Sequence, residues 1–188
     1  MIFLEEFARP LLVSHAISAS VLVGATSHHL LWTRAYRRAD FTKIKAERRF
    51  ALIATLAFIA TFLIGNLIYP TYKVRVRSEY FDNPAAVSRE MTLRAEEHRR
   101  VGVDASAPIS VQLLTSIARL FDIKEHWVAL GCAASVLLLL LSRAAHPKDH
   151  PRVLVLYLAL SAITCGTAWF GAVVGLLTAS FRSVGGVS

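Results

Sequence analysis

Cysteine is almost absent: the chain has two, Cys132 and Cys165, and both fall inside long apolar runs. That leaves no disulfide framework and no Cys-x-x-Cys redox or zinc motif, so both thiols read as small packing residues. Acids are scarce as well, thirteen against twenty-one Lys and Arg. No acidic residue sits at mid-depth of an apolar run and no pair of runs is broken by Gly and Pro, which argues against a transporter. A glycine-rich phosphate loop, a nucleophile elbow and a zincin motif are all missing, so no catalytic residue is singled out. The first ten residues carry Glu5 and Glu6 where a cleavable signal needs basic charge, and the apolar run that follows is too long for a signal core. The first apolar segment is therefore expected to remain in the mature protein.

What the chain has in abundance is apolar sequence. Fifty-five per cent of its residues are hydrophobic and the mean hydropathy is +0.50, too apolar for a soluble chain of 188 residues. A bilayer core of ~30 Å is crossed by roughly 20 apolar residues in a helix. Four stretches meet that length, at about 11–33, 50–69, 124–143 and 152–178. The third reaches it only if Leu120, Phe121 and Ile123 continue the helix into the apolar run that begins at Trp127. The expected fold is thus an all-α membrane protein: a four-transmembrane-helix bundle with a helical outer loop, 71–123, between spans two and three. One bundle uses nearly all the apolar sequence, so 1–188 reads as a single membrane domain.

The net charge of +8 is an orientation signal and no sign of nucleic acid. Arg34, Arg37, Arg38, Lys43, Lys45, Arg48 and Arg49 crowd the first short connection against only Asp40 and Glu47, and Arg143, Lys148 and Arg152 mark the second. Basic residues in short loops stay in the cytoplasm. Both termini and the nearly neutral 71–125 loop then lie outside an inner or plasma membrane, and the basic loops attract anionic headgroups.

Along the chain, Pro10 suits a first helical turn, and Lys43 and Glu47, at i,i+4 spacing, suggest a helical connection between spans one and two. Span two is expected to stop at Tyr69–Pro70, where the helix ends or kinks because proline cannot donate to the carbonyl of Asn66. Residues 72–77 alternate polar and apolar and read as an extended arm on the membrane surface. Asp82-Asn83-Pro84 starts a charged helix to about Arg100, and Gly102 to Pro108 breaks it. Ile109, Leu113, Ile117, Leu120 and Phe121 share one face of an amphipathic helix, lying at the interface or running into span three. Ser14/Ser18 and Gly171/Gly175 are small residues of the kind that mark helix contacts in membranes.

Polar side chains inside spans are the candidates for function. Counted from the basic loops, His15, Asn66 and His126 fall within ~3 Å of one depth near the outer face, with Glu125, Tyr69 and Trp169 at about that level. Two histidines facing each other across a four-helix bundle are what a b-type haem needs as axial ligands. His15 and His29 are fourteen residues apart on one helix face, which resembles the ligand spacing of two-haem cytochrome b proteins. Span three would need a second histidine near Leu140 and has none, so a complete two-haem site is not expected. His28 and His29 read as inner-interface residues and His146 and His150 as solvated loop residues. Glu96, Glu97 and His98 read as part of a salt-bridged helix face. The leading expectation is one haem b, or another metal, on His15 and His126, with Asn66, Tyr69 and Trp169 around it, exchanging electrons with a quinol or a soluble carrier. The alternative is a non-catalytic accessory or assembly subunit that docks a membrane or outer-side protein through the 71–125 loop.

Overall fold

The computed structural model describes residues 4–101 and 111–181. Helix α1 spans Ala8–Ala35, α2 Ile44–Thr71, α3 Pro84–Val101, α4 Val111–Ala144 and α5 Leu154–Phe181. No strand occurs among the described residues. Four helical stretches, 5–38, 44–81, 115–144 and 151–181, are long and apolar enough to cross a bilayer, so the protein is a multi-pass integral membrane protein with an all-α bundle. The helices form a ring in which α1 packs on α2 and α5, and α4 packs on the same two.

The apolar solvent explains which side chains face which way. Leu31, Leu56, Leu63, Leu137, Leu140, Val155, Leu156 and Leu176 are all exposed, as lipid-facing positions should be. Lipid tails cannot drive helices together by hydrophobicity, so contacts fall to small residues and hydroxyls. Ser18 bonds Thr61 between α1 and α2 (2.7 Å), and the Thr55 hydroxyl donates to the Ser135 carbonyl between α2 and α4 (3.0 Å). At mid-bundle Leu22, Ala57, Phe58 and Ala168 form an apolar plug, with Phe58 fully buried. Gly131 lets α4 approach: a Cβ there would come within 2.1 Å of Thr167 Oγ1 and 2.6 Å of Phe58 Cζ. Gly171 lies against Val128, 3.3 Å from where its Cβ would sit, as its small size suggested.

One end of the bundle carries the tight connections at 36–43 and 145–150, and is here called the turn end. The other is a helical cap. Arg75 in the cap pairs with Glu5 at 2.7 Å, and Phe181 packs on the cap's core, so the first and last described segments meet the cap.

The cap corrects one expectation. Residues 72–77 are not an extended arm: α2 ends at Thr71, beside Pro70 as expected, but helical turns continue past it. The backbone N–H of Tyr72 reaches back to Ile68 and Tyr69, and the chain then widens into a π-helix, Tyr72–Phe81. Proline removes one donor, and the wider turns that follow absorb the disruption without ending the helix. The alternation of Val74 and Val76 was the weaker pattern. Tyr72, Val76, Tyr80 and Phe81 share a face that packs on Val87 of α3 and on Ile117 and Ala118 of α4. Arg77 fastens the joint, donating to the Ala118 carbonyl (2.8 Å) and pairing with Asp82 (2.9 Å) and Asp122 (3.2 Å). Helix α3 begins at Pro84 as expected, with Asn83 Oδ1 accepting the Ala86 N–H. The amphipathic segment is continuous with span three as α4; Ile109 and the 102–108 break lie outside the described residues.

Candidate functional site

The most tightly built polar group lies at the turn end. Glu47, in the first turn of α2, is fully buried. Its Oε1 accepts from His29 Nε2 of α1 at 2.7 Å and from the Tyr157 hydroxyl of α5 through a short hydrogen bond. Its Oε2 accepts from the Tyr36 hydroxyl at 3.4 Å, and His146 Nε2 stands 3.5 Å away. That last approach is electrostatic, because His146 Nε2 makes no hydrogen bond of proper geometry. His29 Nδ1 continues to Ser161 (3.0 Å), and Ser161 to Thr33 (3.2 Å). His146 Nδ1 accepts the Lys148 backbone N–H at 3.1 Å, which in a neutral ring puts the proton on Nε2, toward the carboxylate. The rings of Tyr36, Phe41 and Tyr157 pack at 5.3, 6.3 and 5.8 Å from that of His146 and shut water out.

A carboxylate out of water is costly unless donors replace its hydration; here His29, Tyr157 and Tyr36 supply them and His146 adds an electrostatic partner. Burial among those rings lowers the His146 pKa, and the Glu47 charge works against the shift. Nearby, Asp40 accepts from the Thr42 N–H (3.0 Å) and hydroxyl (2.8 Å), which holds its carboxyl below the usual range.

Three sequence readings change here. Glu47 is no surface partner for Lys43, because the first turn of α2 rotates it into the bundle. His29 and His146, read as an interface and a solvated residue, are both 2% exposed. The depth count could have found them: His29 lies five residues before Arg34, Glu47 two before Arg49 and Tyr157 five after Arg152. His28 does behave as an edge residue, exposed, bonded to the Gly24 carbonyl at 2.9 Å and stacked on Phe50.

In the expected layer near the cap, His15 and His126 each have surroundings of their own. His15 lies against Gly65, its Cε1 3.2 Å from where a Cβ would sit, and within reach of the Thr61 carbonyl. Its Nδ1 is buried and unpaired, and the neighbouring α4 cation is Lys124, whose Nζ lies over Phe121 at 4.6 Å. His126 is exposed, with Nδ1 on the Asp122 carbonyl of its own helix at 3.0 Å. Asn66 is exposed and donates to the Phe62 carbonyl at 2.8 Å. Tyr69 packs on the cap's core beside Tyr72, 6.3 Å between ring centres. Trp169 donates to Ser27 Oγ at 3.0 Å, toward the turn end and away from His15. Among the described residues no three His, Cys, Asp or Glu side chains converge to hold a metal ion. Comparison of the chain with protein-family models, with curated proteins and with solved structures finds no match.

Proposed function

We propose that the protein is a non-catalytic subunit of a membrane complex, held in the bilayer by its bundle and docking a protein partner through the cap. The observation that carries this reading is the closed centre. Phe58, fully buried, packs with Leu22, Ala57 and Ala168 into an apolar plug between the polar groups at the two ends. The Glu47 carboxylate takes its donors from within the chain, which suits a structural centre. The cap has its own core and an exposed charged surface that includes Arg89, which suits a polar partner. With the basic turn end in the cytoplasm, the cap and both termini face outward.

A photo-crosslinking residue at Arg89 tests this in native membranes, with one at the lipid-facing Leu156 as control. One protein adduct of defined mass at Arg89, absent at Leu156, is expected. No adduct at Arg89 overturns the proposal.

A second reading is one haem b on His15 and His126, exchanging electrons with a quinol or soluble carrier. The unpaired His15 Nδ1 favours it; the exposure of His126 favours the first reading. Purified protein with a Soret band that is lost in His15→Ala and His126→Ala would replace the subunit reading. A colourless sample without stoichiometric metal ends the haem reading.

A further inference from the structure

We propose that the Glu47 group is a proton-sensing site, in which protonation of His146 at Nδ1 breaks its bond to the Lys148 N–H and frees the 145–150 turn. The geometry gives each ring nitrogen one task. Nε2 faces the Glu47 carboxylate at 3.5 Å, and Nδ1 accepts from Lys148 at 3.1 Å. An imidazolium carries protons on both nitrogens and has no acceptor left. Its Nδ1–H would then confront the Lys148 N–H, donor against donor, while its charge draws Nε2 toward Glu47. Acid therefore tightens one side of the ring and opens the other.

The turn is built to respond. Within the turn, backbone bonds run from the Asp149 and His150 N–H groups to the His146 carbonyl, both at 2.9 Å; at its edges Ala145 donates to Leu141 and Val153 to His150. The Lys148 bond is thus the one that ties the side chain to the turn, and Lys148, Asp149 and His150 are exposed. Among the described residues, charged and titratable groups face the ring from several elements. From α2, Glu47 favours the imidazolium and Arg48 opposes it; Asp149 of the loop favours it. Tyr36, after α1, and Tyr157 of α5 face the ring as neutral phenols, and His29 stands beyond the carboxylate it already binds. Burial opposes protonation, which sets the transition below the ordinary histidine value.

A spin label at Lys148→Cys, in full-length protein with Cys132 and Cys165 replaced by alanine, reads the turn directly. As pH falls from 8 to 5, the mobile fraction is expected to rise several-fold, with a midpoint below 6.5. In His146→Asn the side-chain oxygen takes the place of Nδ1, still accepts from residue 148 and cannot titrate, so the label should stay immobile throughout. In protein with unmodified residues, ¹⁵N-histidine resonances should show one imidazole gaining a proton at Nδ1 with the same midpoint. No pH response of the label, an equal response in His146→Asn, or ¹⁵N and label midpoints a unit or more apart would each overturn the proposal.

Discussion

Glu47 is one of two acidic residues among seven bases, yet it is fully buried and joins four side chains at the turn end. Replacing it with alanine would leave His29, Tyr157, Tyr36 and His146 aimed at an empty space. Breaking a buried ion pair by removing one partner costs about 3–5 kcal/mol, so a loss of that order is expected for Glu47→Ala in thermal unfolding of the detergent-solubilised protein. Glu47→Gln keeps the volume and a neutral acceptor and should cost less; a loss under about 1 kcal/mol in the alanine variant would mean that the carboxylate holds nothing together. The His146 shift makes a separate prediction with a definite sign. A base whose folded pKa is lowered binds fewer protons folded than unfolded, so its neutral form stabilises the fold fully above the ordinary value of 6.5. That contribution is lost as pH falls through the lower folded value. Unfolding temperatures should therefore decline more steeply below pH 6.5 in the wild type than in His146→Asn. The residue types were readable beforehand, but their burial was not. A histidine or glutamate next to a basic loop has the same sequence whether its helix turns it to the headgroups or to the bundle.

The helical turns that continue beyond α2 show how a local signal can be real and still lose. Pro70 does lack the donor that its helix needs, and residues 72–77 do alternate. Neither outweighs a face of Tyr72, Val76, Tyr80 and Phe81 that can be buried against α3 and α4. Tyr72 stacks on Phe121 at 3.9 Å between ring centres, and the π-turns bring these long-spaced side chains onto one side. Arg77→Ala should loosen this joint. Its ion pairs are partly solvated and worth little, but its bond to the buried backbone at Ala118 is not replaced. A loss of about 1–2 kcal/mol is expected, with faster hydrogen exchange confined to 72–81 and the first turns of α4. Exchange that rises uniformly over the bundle would show that the cap is not a separable joint.

At the scale of the whole molecule the first claim to test is orientation. A tag at the N-terminus should react with an impermeant reagent in intact cells, and a cysteine at Lys43 should react only after lysis. The opposite pattern would place the cap in the cytoplasm and remove the outward-facing docking reading. Four spans, their lengths and the pairing of basic loops at one end were determined by the sequence alone. The bilayer's thickness and the cost of an unsatisfied backbone in lipid leave a run of roughly 20 apolar residues one structure to adopt. The depth of each polar residue was fixed in the same way, by its count from the basic loops at a constant rise per residue. Rotation about each helix axis was not, because interior and exterior are both largely apolar and no strong amphipathic stripe distinguishes them. Only packing decided it. It turned His126 and Asn66 outward onto carbonyls one turn earlier in their own helices, set Lys124 beside His15, and gathered Glu47, His29, Tyr36, Tyr157 and His146 from four separate parts of the chain. Which face of a helix meets its neighbours depends on the shapes of all four at once, and that information exists only in the assembled bundle.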